Sequence, residues 1–378
     1  MIRSLVLVTA VSLVASCSST PKPEPVIPTT PLVIKAGKPV ADVPGEGFFR
    51  NVRQLTFGGE NAEAYWSWDG KKLILQSRLG RYKEGKFECD QIFVLDLESG
   101  ERKLASTGKG RTTCSYFLQG DKRIIYASTH LAGPNCPPSV MRVRGKYVWP
   151  IYKSFDIFTA NPDGSELKRL TNTPGYDAEA TVCPITGTIV FTSVRDGDLE
   201  VYTMEPDGSS VRRLTNRPGY DGGPFFSHDG TKIVLRSGFL KTAKERKTYF
   251  DLLARGLVQP TVMEITLMNR DGSNFRQITN NGKANFAPFW HPDNKRILFA
   301  SNKDALPGRK GATMFDIYMM NEDGTGMTQV TTNPSFDSFP MFSPDGKHIV
   351  FASNRFNPKG KERDTNIFVA EWVEAEGK

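Results

Sequence analysis

The sequence predicts an all-β protein built as a six-bladed β-propeller, with its ring closed by an N-terminal strand and one short helix in a top-face insertion. Three observations carry that expectation. A unit of the type Leu-Thr recurs at Leu55, Leu104, Leu170, Leu214, Ile278 and Val330, with spacings of 49, 66, 44, 64 and 52 residues. Each copy contains short apolar runs separated by tight-turn residues, often Asp-Gly, and repetition in this range marks propeller blades. The last copy is one strand short, and the N-terminal end of the chain carries a strand with no partner before it.

Taken in order, the chain opens on Met1-Ile-Arg-Ser with one positive charge, and residues 5–14 are mostly apolar. That is the layout of an export signal, too short for a membrane span. Val14-Ala15-Ser16-Cys17 resembles the bacterial lipobox, which implies cleavage ahead of Cys17 and lipid attachment to its sulfur. Residues 1–16 are expected as signal peptide, and 17–45 as lipidated cysteine and Pro-rich tether. Proline fixes an extended backbone, so this stretch reads as a semi-rigid spacer. Ser18, standing where an Asp would retain the protein at the inner membrane, implies an outer-membrane lipoprotein facing the periplasm or the cell surface. The formal charge is +8. Its Lys and Arg read as scattered through loops, with no stripe for nucleic acid.

The propeller is expected over residues 46–374. Blade one takes strands at 62–68, 71–77 and 90–96, and blade two at 112–118, 122–128 and 156–161. Blade three uses 179–182, 188–193 and 199–204, and blade four 223–227, 232–237 and 263–268. Blade five uses 286–290, 296–301 and 316–320. In blade six, 338–342 and 347–353 flank the turn Ser343-Pro-Asp-Gly346, and 365–371 follows. Asp-Gly tolerates the positive φ of tight turns, and the β-branched and aromatic runs suit buried sheets. An open edge after 365–371 would invite unwanted pairing. The segment 50–56 has the form of the outer strands at 167–171 and 211–215, so it is expected to close the ring. In the insertion 238–262, Tyr249, Leu252 and Leu253 have helical spacing and Gly256 suits a helix end.

Phe342-Ser-Pro-Asp-Gly346, Ile349-Val-Phe-Ala-Ser-Asn-Arg355 and Ile317-Tyr-Met-Met-Asn-Glu-Asp-Gly324 resemble the repeats of TolB-like propellers, over roughly residues 48–372. The resemblance implies the six-bladed fold, a scaffold that hosts interaction modules, peptidase gates and sugar-lyase domains alike. It departs at the N-terminal side, where TolB proper has a folded domain and a tether is read here.

In such a ring the loops before strand a and between strands b and c share the top face, and the remaining turns share the bottom. The long insertions, at 78–89, 129–155, 238–262, 302–315 and 354–364, all fall on top, where binding on a rigid scaffold usually resides. Around the channel mouth we place Glu60, Asn61, Glu63, Thr113, Asp177, Glu179, Asp221, Asn285 and Asp337. Glu63, Asp177, Glu179, Asp221, Asn285 and Asp337 are the ligand-binding candidates. Asp177, Glu179 and Asp221 form the metal candidate set, and their hard oxygens would suit Ca²⁺ as cofactor. The alternative is that these groups cap backbone N–H groups or meet an Arg such as Arg111 or Arg195.

Four cysteines follow Cys17. Cys183 falls at a bottom turn. Of Cys89, Cys114 and Cys136 on top, one pair is expected to bond, as suits an oxidising compartment. Cys114–Cys136 is favoured and Cys89–Cys114 is the alternative. Only His130 reaches the top face, so a lyase site built on several histidines has no ligands, and no Gly-x-Ser-x-Gly elbow is present. The expected function is a monomeric, lipid-anchored, non-enzymatic module binding a cell-envelope protein, peptide or glycan. A carboxylate- or metal-dependent hydrolase or lyase at the channel mouth is the alternative.

Overall fold

The computed structural model describes residues 31–78, 88–305 and 314–374. The expected signal peptide, Cys17 and the tether up to residue 30 lie outside these residues, as do parts of the blade-one and blade-five insertions.

Six antiparallel sheets form the blades, and in each the strands run a, b, c, d from the axis outward. Blade one contains Glu60–Trp66, Lys72–Arg78, Gln91–Asp96 and Arg102–Leu104. Blade two contains Thr112–Phe117, Ile124–Ser128, Asp156–Ala160 and Lys168–Arg169. Blade three follows with Asp177–Val182, Ile189–Ser193, Glu200–Met204 and Arg212–Arg213. Blade four has Asp221–Phe226, Lys232–Ser237, Glu264–Asn269 and Arg276–Gln277. Blade five has Asn285–Trp290, Arg296–Ser301, Asp316–Asn321 and Thr328–Gln329. Blade six has Asp337–Phe342, His348–Ser353 and Asn366–Trp372, and takes its outer strand, Phe49–Gln54, from the start of the chain.

The repeated residues have repeated jobs. The Thr of each Leu-Thr unit accepts the N–H of the second residue of strand c, as Thr171 does from Ile157 (2.9 Å), Thr215 from Val201 (2.9 Å) and Thr331 from Ile317 (2.9 Å). Ser106 takes that place in blade one, and Thr56 reaches Ile367 across the closure. The outer strand is thereby clamped to its blade where ladder bonds run out. The Gly of the c-to-d turns serves the neighbouring blade. Gly208 has φ 91°, and a Cβ there would stand 2.7 Å from the Leu170 carbonyl oxygen. Only glycine tolerates both conditions.

The closure extends beyond the expected strand. Lys38–Pro39 pairs on the outside of Phe49–Gln54, and the N–H groups of Lys35 and Ala36 both donate to the Leu97 carbonyl at 2.9 Å. Leu32, Ile34 and Val40 pack against the core. Residues 32–45, expected as tether, are therefore part of the folded ring, because their apolar side chains find a surface at the blade-six and blade-one edges. Glu46 is buried and meets Arg355 at 2.9 and 3.1 Å, and Arg355 bonds Asp337 at 3.0 Å. Breaking one partner of a buried pair typically costs about 3–5 kcal/mol.

The expected helix is present as Ala243–Leu253, with Tyr249, Leu252 and Leu253 buried and a capping box from Thr242 and Glu245. The disulfide differs from both expected pairings. Cys89 bonds Cys136, with their Cα atoms 5.6 Å apart, and Cys114 is free. Cys114 sits inside strand a at φ 50°, where its side chain turns to the ring axis, whereas Cys89 and Cys136 lie in top loops of adjacent blades.

Two outcomes are expected in thermal melts. Deleting residues 46–56 removes the closing strand and lowers Tm far more than deleting residues 18–30; equal Tm values would refute the closure. Cys89→Ser destabilises by up to about 4 kcal/mol through loop entropy, while Cys114→Ser leaves the non-reducing gel mobility unchanged.

Candidate functional site

The site is built by one local irregularity repeated six times. In every strand a the register shifts at a β-bulge. The bulged residues are Glu63, Cys114, Glu179, Gly223, Ala287 and Phe339, all with φ between 45° and 59°. A bulge inserts a residue and re-aims its side chain. Here the six form a collar around the axis.

Two positions further along, Tyr65, Tyr116, Phe225, Phe289 and Met341 are buried. Tyr65 of blade one and Phe225 of blade four stand on opposite sides of a six-membered ring, yet their ring centroids are 5.6 Å apart. Tyr116 lies 5.5 Å from Tyr65, and Phe289 lies 5.4 Å from Phe225. The channel is therefore stoppered by aromatic rings directly below the collar.

The collar is polar on the side of blades one to four. Glu179 accepts hydrogen bonds from Thr192 (2.7 Å), Tyr220 (2.7 Å) and the Gly223 N–H (2.8 Å), and pairs with Arg236. Burial pushes its pKa up, but the Arg236 charge and these donors outweigh it and hold the carboxyl below its usual range. Glu63 accepts the Cys114 N–H at 3.1 Å. Burial raises its pKa to about 7, with the Glu179 charge adding and Cys114 and Arg236 opposing. The Cys114 thiol is pushed well up by burial and then by the two glutamates, so it is not an activated nucleophile. Gly223 makes room for this arrangement, since a Cβ there would fall 1.9 Å from Arg236 Nη1.

A lid covers the collar. The blade-two insertion contributes Trp149–Pro150, which pairs with Leu257–Val258 of the blade-four insertion. The Arg236 guanidinium lies 5.0 Å from the Tyr220 ring centroid and 5.6 Å from that of Trp149. Tyr249 of the helix donates to Asp198 at 2.5 Å, which fixes the helix to blade three.

Of the expected mouth residues, Glu63 and Glu179 are brought together. Asp177, Asp221, Asn285 and Asp337 are not; they begin their strands and are at most 1% exposed. Asp177 bonds Arg195 (3.1 Å), Asp221 bonds Arg217 (3.0 Å) and Asp337 bonds Arg355 (3.0 Å). Asn285 donates to the Met263 carbonyl (2.7 Å) and accepts from Ser301 (2.7 Å). The expected metal set is split, because Asp177, Glu179 and Asp221 each face a different arginine. Among the described residues, no group of three His, Cys, Asp or Glu is placed to hold a metal ion.

Arg236, Tyr220 and the channel position of Cys114 were not foreseen, yet a signal existed. Just before the Ser at or next to the end of strand b, three blades carry Ala127, Ala300 and Ala352, and the others carry Gln76, Thr192 and Arg236. Those three polar residues are the collar's partners: Gln76 accepts the Cys114 N–H at 3.4 Å, and Thr192 and Arg236 hold Glu179.

No protein-family model matches the chain. In sequence it is similar to the protein TolB homolog of Chlorobium luteolum, 27% identical over 124 residues, a match covering 24% of this chain and 28% of that protein. The chain thus spans little more than a quarter of the curated relative it matches. A solved TolB structure from Agrobacterium tumefaciens superposes with a TM-score of 0.52 at 17% identity, covering 84% of this chain and 91% of that one. The fold is that of a TolB-like six-bladed β-propeller. TolB from Acinetobacter baumannii gives a TM-score of 0.49 at 18% identity, over 73% of this chain and 55% of that one.

In this TolB-like propeller the Glu63 carboxyl pays an ionisation penalty that its neighbours only partly offset. A raised acid pKa favours the folded state fully below the unfolded value of 4.5, and that advantage is lost as pH rises through about 7. Glu63→Gln is therefore expected to match the parent near pH 5 and exceed it at pH 9 by up to about 3 kcal/mol. Urea denaturation at the two pH values checks this; equal gains at both would rule out the titration.

Proposed function

We propose that this chain is a lipid-anchored, non-enzymatic propeller of the cell envelope that binds a protein or peptide partner through its top face. The observation that carries the reading is the distribution of exposed apolar surface. Of thirteen large apolar side chains exposed among the described residues, eight belong to top-face loops, including Phe57, Met141, Tyr147, Phe250 and Phe356. Scattered exposed apolar residues are ordinary, but a one-sided concentration points to an interaction surface. A top-face cleft of about 570 Å³ on blade six, walled by Phe336, Phe356 and Pro334, adds to it.

The anchor is supported by the signal-like residues 1–16 and the lipobox-like Cys17, and the outer membrane by Ser18. The Cys89–Cys136 disulfide fits export. Leu32 packs against Gly70 in a bottom-face turn, so a tether leaving there would turn the top face away from the anchoring bilayer. A hydrolase or lyase at the mouth would need carboxylates that converge, and Asp177, Glu179 and Asp221 do not.

Photo-crosslinkers placed in cells at Phe57, Tyr147 and Phe356 are expected to capture an envelope partner, and those at Leu167 and Met327 on the rim to capture none. Capture from the rim alone overturns the top-face reading. Cys17→Ser is expected to move the protein from the membrane to the soluble fraction; retention in the membrane overturns the anchor.

A further inference from the structure

We infer that the partner is an acidic polypeptide and that it docks on the lid formed by the blade-two and blade-four insertions. This rests on the top-face reading above and names the chemistry of what that face takes.

The first ground is charge. Residues 129–155 contain four Lys and Arg and no Asp or Glu, and residues 238–262 contain five Lys and Arg and two acidic residues. Together these insertions hold seven of the chain's eight net positive charges. In sequence those charges look scattered over two loops with 82 residues between them; the pairing of Trp149–Pro150 with Leu257–Val258 gathers them onto one face. The two acids are already engaged. Glu245 closes the helix capping box, and Asp251 pairs with Lys247 at 2.8 Å.

The second ground is shape. Met141 to Val148 folds as a hairpin, with Arg142–Val143 against Lys146–Tyr147 and the Val148 N–H on the Met141 carbonyl at 3.1 Å. Its tip exposes Arg142, Arg144 and Lys146 beside Val140, Met141 and Tyr147, the last three 41%, 49% and 37% exposed. On the same lid the helix exposes Phe250 beside Arg246 and Lys247. Arg, Met and aromatic residues are the types enriched at protein interfaces, and the long-range field of a basic patch steers an acidic partner.

The third ground is that the hairpin is held at its base while its tip stays open. The Cys89–Cys136 disulfide, the Tyr152 hydroxyl on the Pro138 carbonyl (2.8 Å) and the Ile151 N–H on the Gly256 carbonyl (2.7 Å) fix it to the scaffold. A preorganised surface loses little freedom on binding. An anionic lipid surface shares the charge logic. The polypeptide is favoured because the first described residues lie at the bottom face, opposite the lid.

The test uses the full chain in mild detergent and a fluorescent Glu–Tyr copolymer, with pure poly-glutamate and phosphatidylglycerol vesicles as comparisons. The copolymer is expected to bind about tenfold more tightly than poly-glutamate, and to weaken about tenfold between low and ~0.3 M salt. Arg142→Glu/Arg144→Glu/Lys146→Glu is expected to lower its affinity at least tenfold with Tm unchanged. Met141→Ala/Tyr147→Ala is expected to reduce copolymer binding to the poly-glutamate level. Unchanged binding in the charge-reversed variant overturns the proposal, as does tight binding of the vesicles without the copolymer. Cellular crosslinks separate the two readings. Capture from Tyr147 of an acidic partner, lost on charge reversal, supports the lid. Capture only from Phe356 or Phe57 removes the lid and leaves the top-face reading, and capture from none of them removes both.

Discussion

A ring of sheets is stable only if its last sheet meets its first, and this chain meets that constraint through one junction. Phe49–Gln54 lies along Asn366–Trp372, Thr56 reaches Ile367, and Glu46 is locked to Arg355 within blade six. Each contact joins residues about 300 positions apart, so each spends much chain entropy on a few bonds. The buried ion pair suits that task because it is directional. Arg355 also bonds Asp337 at the start of blade six, so the closure is continuous with the innermost strand.

Once the ring is closed, the bulges in strand a decide what the axis contains. The same backbone step, taken six times, points six different residues inward. Where it presents Cys114 and Glu179, neighbouring blades supply Gln76, Arg236 and Tyr220 and blade three itself supplies Thr192, and where it presents Ala287 and Phe339, the b-strand position behind is alanine. Burying a carboxylate beside an arginine is tolerable because both are hydrogen-bonded, which is the usual condition for charges removed from water. The collar thus lies between the aromatic rings of the channel below and Trp149 of the lid above.

The repeat made blades and turns legible, and apolar spacing did the same for the helix. Every expected strand lies within two residues of an observed one, because hydrophobic pattern and turn chemistry are local. The site was legible only in part. Glu63 and Glu179 lie together at the axis, while Asp177, Asp221, Asn285 and Asp337, only two residues away from collar positions, face Arg195, Arg217, Ser301 and Arg355. A shift of two residues across a bulge separates a channel residue from an intra-blade staple, and a bulge leaves no mark in an alternating pattern. The departures from alanine at Gln76, Thr192 and Arg236 were the available signal.

By itself the sequence determined the number of blades, the order of their strands, the origin of the closing strand and the helix under Tyr249, Leu252 and Leu253. These follow from period, turn residues and apolar spacing, which act over a few neighbours. Tertiary structure alone decided that Cys89 bonds Cys136, that residues 32–45 belong to the ring, and that two distant insertions merge into one basic lid. Those outcomes depend on which surfaces come within a few ångströms once the ring has closed, and no local pattern encodes that distance.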